Sequence, residues 1–412
     1  MDLFQSNKTA NAVLDRVERF LCSLIRIPSV SGSEQKAMEF LADEFGRLNV
    51  TVEKIPLSDA LLQDPDYSSP VPDLRYDGRC SLRVTKKGKD SSRKILFNAH
   101  VDTVPPSEGM TDAYSGRVKD GVVYGRGACD NKGPLSSVYL LMLLLDELNV
   151  QPECDLVAHL VVEEENGGNG SLAMVRTGER ADACVVLEPT EGRVLTSIRG
   201  AVWFKIELTG IAGHSGQAGQ TRSALLMARE AIDLLTDYHR RLLDASRGIA
   251  LFDAYENPMP ITFGKLIAGN WPASAPNRAL LEGVLGFLPN KTKEEVCREM
   301  EAALMASPGL APDNCRLTFT YRHDSSVVDP DSALPQGLLK ACRETGMDSA
   351  IDAMSASCDA WFYNNLLNIP TVVYGPGTLK VAHSKEEQIE IRQVKEAALA
   401  LLNFVLTWKG QR

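Results

Sequence analysis

KILFNAHVDTV at residues 94–104, followed after a polar loop by GVVYGRGACDNKG at 121–133, decides how the rest of the chain is read. An apolar run over 95–99 stops at His100, Asp102 comes two residues later, and Asp130 stands in a Gly-rich, charged turn. The same pattern recurs further on. Residues 156–162 run into Glu163, Glu164 and Glu165, residues 183–187 run into Glu188, and residues 371–374 run into a Gly-Pro-Gly turn shortly before His383. Short aliphatic and β-branched runs bounded by turn signals read as buried strands of a parallel sheet, and ligands collect beyond the carboxyl ends of such strands. The sequence therefore predicts histidines and carboxylates gathered at one edge of one sheet.

A chain of 412 residues is long for a single core, so two domains are expected. A net charge of −10 with no basic stripe argues against a nucleic-acid partner and leaves the substrate open. The nine cysteines, at 22, 80, 129, 154, 184, 297, 315, 342 and 358, form no CxxC pair, which fits reduced, buried thiols in a cytosolic enzyme. MDLFQSNKTANAV at the start has no basic stretch leading into an apolar one, so no secretion signal is expected. The most lipophilic segment, 138–145, is too short to span a bilayer. These readings predict a cytoplasmic protein without a membrane partner.

Helical apolar spacing over 10–25 and 33–48 predicts two covering helices, and 51–55 and 81–84 are short strand candidates separated by a Pro/Asp-rich irregular loop. Helix (131–148), strand, helix (170–177) and strand then alternate, which is α/β with a largely parallel sheet. From Arg199 the order changes to strand, long helix, strand, strand, helix, strand, ending near Arg322. This β-α-β-β-α-β arrangement is an α+β, ferredoxin-like unit inserted into the first domain. The expected organisation is a catalytic domain in two parts, 1–198 and 323–412, with an inserted domain at 199–322. Helices near 333–345 and 361–366, the strand TVVYG and a last helix over 389–408 complete the α/β part.

Taken singly, a histidine ending a strand is most often a hydrogen-bonded core or surface residue, and an acidic triplet is usually a solvated loop. Their coincidence at inferred strand ends is what carries the reading. Histidine and carboxylate donors without cysteine suit a hydrolytic zinc or related divalent ion. One histidine and one or two carboxylates per ion, with one carboxylate shared, is the inventory for two ions. Asp102 is placed to reach back to the free ring nitrogen of His100. Neighbouring side chains in an extended segment point to opposite sides, so Glu164 and Glu165 are expected to divide the work, one on metal and one facing water as general base.

The segments HVDTV (100–104), GRGACDNKG (125–133), EEENGGNG (163–170), LEPT (187–190) and GPGTLKVAHS (375–384) resemble, in order, motifs of a known family. It is the dinuclear zinc exopeptidase and deacylase family that includes acetylornithine deacetylase, succinyl-diaminopimelate desuccinylase, aminoacylase and a glutamate-releasing carboxypeptidase. The resemblance spans nearly the whole chain. It implies His100 and Glu188 on one metal, Glu165 and His383 on the other, and Asp130 bridging them. It makes Glu164 the general base, because a Glu-Glu-x-Gly-Gly motif fits 164–168, and gives Asp102 the orienting of His100. The ions would be two divalent cations, zinc first, with cobalt or manganese as alternatives.

In the insert, GIAGHSG (210–216) resembles the family segment whose histidine stabilises the oxyanion, which gives His214 that role. Arg199 resembles an arginine that contacts a substrate carboxylate in some members, and Asn270 sits where relatives carry an asparagine lining the site. His159, His239 and His323 match no motif and read as structural. One departure stands out: where many relatives have Asp-x-Arg, this chain has Val284 and Gly286, so a basic anchor for an anionic substrate end is missing.

The expectation is a metal-dependent amidohydrolase that removes an acyl group from an N-acyl amino acid or related small amine, as acetylornithine deacetylase does. It would form a homodimer through the insert. A dipeptidase or carboxypeptidase of the same family is the alternative. A catalytically silent binding or scaffold relative is the reading from another class, and retention of every ligand candidate together with Glu164 argues against it.

Overall fold

The structure is a computed structural model describing residues 3–217 and 219–410. At its centre the strands Cys154–Val161, Asp90–His100, Ala183–Leu187 and Thr371–Tyr374 lie side by side and parallel. Cys154–Val161, Ala183–Leu187 and Thr371–Tyr374 are buried along their whole length. Strands covered on both faces carry apolar side chains on both, which is why these segments read as continuous apolar runs. The sheet continues antiparallel through Cys80–Lys86 to Thr51–Pro56 on one side. On the other side Thr371–Tyr374 meets Val194–Ile198, which pairs in turn with Ser326–Val327 and Ile351–Met354.

The helix Lys132–Glu147 explains the lipophilic segment at 138–145. Its residues from Lys132 to Leu145 are all buried, because it is wedged between the sheet and the helices Leu3–Ile25 and Ile391–Thr407. The rings of Phe20 and Tyr139 stack there with centroids 4.0 Å apart. Among the described residues no helix is long and apolar enough to cross a membrane.

A second sheet, antiparallel, has the order Ile261–Ala268, Arg278–Phe287, Gly200–Thr209, Cys315–His323. The helices Ala224–Ala245 and Lys293–Met305 pack on it around a separate core that includes Val202, Phe204, Ile206, Leu235 and Leu285. Gly200–Thr209 alternates buried and more exposed positions, as a sheet with one covered face requires. A capping box starts the second helix, with Thr292 and Glu295 satisfying each other's backbone N–H groups.

The sequence reading passed over Val194–Ile198, Ile351–Met354 and a small sheet formed by Arg117–Lys119, Val122–Tyr124 and Gln388–Glu390. These strands have three to five residues, too few to show a period of their own. The last helix accordingly begins at Ile391, after the strand that takes residues 388–390. The supposed irregular loop before Cys80 contains a 3₁₀ turn, Asp59–Gln63. All nine cysteines are unpaired, and seven of them are buried.

Candidate metal centre and active site

Parallel pairing sets the carboxyl ends of the four central strands at one edge, and the predicted donors meet there. His100 is the last residue of its strand, and Glu188 follows directly on Ala183–Leu187. The two carboxylate oxygens of Asp130 face different histidines: Oδ1 lies 3.1 Å from His100 Nε2 and Oδ2 lies 3.3 Å from His383 Nε2. Glu188 Oε1 is 3.9 Å from His100 Nε2, and Glu165 Oε1 is 2.9 Å from His383 Nε2. Two triads with donor atoms close enough to share an ion result, His100, Asp130 and Glu188, and Asp130, Glu165 and His383.

Glu164 belongs to neither triad, and its Oε2 lies 3.9 Å from His100 Nε2. Strand alternation does not separate Glu164 from Glu165, contrary to the sequence expectation: the strand ends at Val161, and the two glutamates occupy a turn rather than an extended segment. Asp102 shapes that turn. Its Oδ1 accepts the N–H of Glu164 at 3.1 Å and its Oδ2 accepts the N–H of Glu165 at 3.2 Å. Towards His100, the main-chain carbonyl of Asp102 lies 3.0 Å from Nδ1 and the carboxylate 3.4 Å from it. Asp102 thus orients the histidine by its backbone as well as its side chain, which leaves Nε2 facing Asp130.

The electrostatics of the cluster ask for a cation. Burial first, and then neighbouring carboxylates, push the carboxyls of Glu164 and Glu188 well above the usual range, and Glu165 is raised by burial and by Asp130. Asp130 goes the other way, because its bonds to His100 and His383 outweigh its burial. Hydrogen bonds to Asp130 and Glu165 lift His383 to about 10. His100 is raised well above its ordinary value, since Asp102 and Asp130 overcome the opposing effect of burial. Two buried carboxylates, Asp130 and Glu188, and two partly buried ones, Glu164 and Glu165, crowd around two histidines, so ionising all four calls for compensating positive charge, and all the donors are nitrogen or oxygen. The residues present fit divalent cations.

Several residues of the site gave no sequence signal. Glu387 Oε1 accepts the N–H groups of Gly127, Cys129 and Asp130 at 3.0, 3.1 and 3.0 Å, while Oε2 pairs with the buried Arg126. Asn131 Nδ2 donates to Glu188 Oε2 at 3.0 Å, and Ser31 Oγ donates to Asp102 Oδ2 at 3.0 Å. Asp359, fully buried and raised to about 7 by desolvation, accepts from Ser171 Oγ. Glu387 lies in the charged run HSKEEQIE, which reads as solvated surface.

The insert residues behave differently. His214 is exposed, on a short strand paired with Ser274–Ala275, and its Nδ1 accepts the N–H of Gly216. Asn270 lies in the neighbouring exposed loop. Among the described residues, no hydrogen bond or ion pair brings either to the metal-site cluster of its own chain. Arg199 is buried at the junction of the two sheets, with Nε donating to the Ser355 carbonyl at 2.5 Å and Nη1 to the Gly200 carbonyl at 3.2 Å. Its guanidinium occupies the space beside Gly286: a Cβ added there would lie 2.3 Å from Nη1. Burial lowers it to about 10. His159 and His239 bond to Tyr363 and to the Met259 carbonyl, and His323 stacks on Trp361, all away from the donors.

Residues 96–407, which carry every donor above, match Peptidase family M20/M25/M40. The chain belongs to that family. It is therefore a hydrolase of amide bonds. It is 27% identical over 387 residues, 91% of this chain and 82% of the other, to a protein of Aspergillus terreus named "Probable carboxypeptidase". It is 26% identical over 376 residues, 82% of this chain and 85% of the other, to the N-formyl-4-amino-5-aminomethyl-2-methylpyrimidine deformylase of Bacillus subtilis. The fold of Bacillus subtilis YXEP, described as a dinuclear metal binding peptidase, superposes with a TM-score of 0.67, covering 96% of this chain and 98% of that one at 14% identity.

Proposed function

We propose that this M20 hydrolase removes the acyl group from an N-acyl amino acid or related small amine, using two divalent cations, zinc first, at the two triads that share Asp130. The observation that carries the reading is the division of Asp130, one oxygen towards His100 and the other towards His383. Bound there, the ions would supply Lewis acidity to the scissile carbonyl. In this reading His100 and Glu188 hold one ion and Glu165 and His383 the other. Glu164 takes the proton of the attacking water and passes it to the leaving nitrogen.

Arg199 is a buried cation with no ion-pair partner among the described residues, an arrangement suited to a substrate carboxylate. Because it fills the space beside Gly286, it offers a basic group near the position where the Asp-x-Arg arginine is missing. His214 and Asn270 serve the site of a second subunit in a homodimer formed through the insert, roughly residues 199–322, acting as oxyanion donor and site lining. The strand Ile261–Ala268 is a sheet edge, and Ile267, Trp271, Ile211 and Leu226 expose apolar surface around it, which supports that contact. Unpaired, mostly buried thiols support a cytoplasmic location.

A carboxypeptidase or dipeptidase activity is the second reading, favoured by the fungal relative's name and using the same groups. The two are separated by kinetics of the metal-loaded protein on N-acetyl and N-formyl amino acids against dipeptides, with metal content measured by elemental analysis. Hydrolysis of the N-acyl compounds with a higher kcat/KM supports the proposal. Preference for dipeptides replaces it with the second reading, and full activity without bound metal removes both.

A further inference from the structure

Glu163 is a fully buried, non-glycine residue at φ 61°, in the left-handed region, directly before the two glutamates of the site. A long L side chain persists there only where its surroundings over-determine it. Here they do. Oε2 accepts from Tyr76 Oη at 2.9 Å and from Asn169 Nδ2 at 3.0 Å, Oε1 pairs with Arg79, and the main-chain carbonyl accepts from Gly168 N–H. Arg79 is itself fixed, forking through Nη2 onto both oxygens of Glu34 at 2.8 and 2.9 Å. The loop before Cys80 grips the same turn elsewhere: Val71 N–H donates to Asn166 Oδ1 at 2.7 Å, and Asn169 Nδ2 donates to the Ser68 carbonyl at 2.8 Å.

Asp102 holds the N–H groups of Glu164 and Glu165 from the metal side, so the turn is clamped between Asp102 and Glu163. Charge balance does not account for Glu163. One guanidinium is shared by two buried carboxylates, and without Glu163 a matched Arg79–Glu34 pair would remain. We propose that Glu163 is a positioning residue, which fixes the turn so that Glu164 faces the attacking water while Glu165 stays on His383. The inference rests on the assignment of Glu164 as general base.

The test compares Glu163→Ala, Glu163→Gln and Glu164→Ala as full-length proteins. It measures kcat and KM on the N-acyl amino acid or dipeptide that the wild type hydrolyses, zinc titration of the apoprotein, and thermal unfolding. For Glu163→Ala the expected result is a fall in kcat of about 10-fold or more, with KM nearly unchanged. Zinc affinity should weaken by about 10-fold at one of two sites, the one that includes Glu165, together with a lower unfolding midpoint, since Tyr76, Arg79 and Asn169 lose a buried acceptor. Glu163→Gln, which keeps the length and an acceptor oxygen, should recover most of the losses in kcat and zinc affinity.

Wild-type kcat and an unchanged zinc isotherm in Glu163→Ala overturn the positioning role, and so does a lower unfolding midpoint as its sole effect. If Glu163→Ala does not fold, Tyr76→Phe removes one hydrogen bond to the same carboxylate, and wild-type kcat and zinc binding there overturn the role equally. Wild-type turnover in Glu164→Ala removes the general-base assignment, a result independent of what Glu163→Ala does to zinc binding.

Discussion

Glu387 Oε1 accepts the main-chain N–H of Asp130 at 3.0 Å, so the loop carrying Asp130 is shaped by a residue four positions past His383. The two loops that meet at the candidate metal centre are thereby locked to each other. Glu387→Ala should release the backbone at 127–130 and leave Arg126 buried without its partner. Loss of such an outer support typically costs 10- to 100-fold in metal affinity or activity. Zinc titration of the apoprotein checks it, and wild-type affinity would contradict the link.

Asp130→Ala should fail at metal binding. A carboxylate whose two oxygens face different histidines would serve both proposed ion positions at once, so its removal is expected to lower metal occupancy together with turnover. Elemental analysis after dialysis is the measurement, and two ions retained per chain would count against a bridging role.

Glu164→Ala should keep its metals and lose turnover, because Glu164 belongs to neither donor triad. General-base assistance is worth roughly 10²- to 10⁴-fold in rate. A variant retaining more than about a tenth of wild-type kcat would therefore sink the assignment.

His214 should act across a subunit interface. If the chain forms the proposed dimer, mixing Glu164→Ala with His214→Ala under conditions that exchange subunits gives heterodimers in which, with His214 working in trans, one site carries both lesions and the other neither. Activity is then expected to return. Loss of a single oxyanion donor costs on the order of 10² to 10³ in kcat, so the recovery is large enough to measure. Heterodimers that form and stay inactive would place His214 within its own site.

Stability should fall with acid through His159. Burial first, and then Arg83 and Lys94, lower its pKa from 6.5 to about 3. The unfolded chain therefore binds a proton below 6.5 that the folded chain refuses until near 3. The contribution is complete above 6.5 and is lost as pH falls towards 3, at up to roughly 1.4 kcal/mol per pH unit. Urea unfolding of His159→Gln between pH 6.5 and 4.5 should show a shallower decline than the wild type, and parallel curves would refute the effect.

The sequence by itself determined the parallel core, the inserted β-α-β-β-α-β unit and the donors at the strand ends. Each of these leaves a local trace: an apolar run stopped by a turn, a helical period, or a histidine or carboxylate at or soon after the end of a strand. His100, Glu188 and His383 could be named as candidate donors for that reason. Only the tertiary structure decided what holds them. Glu387 sits in a charged run like any solvated one, and its burial comes from Arg126 and three backbone N–H groups more than 250 residues earlier. Glu163 looks like the first of three equivalent glutamates until Arg79 and Tyr76 draw it inward, while Glu164 and Glu165 turn outward to the histidines. Arg199 gains its place because Gly286, a strand away in another part of the chain, has no side chain to fill the space. Residue type and spacing report what a segment offers. Burial, charge balance and hydrogen-bond partners are set by segments distant in sequence, and they exist only once the chain has folded.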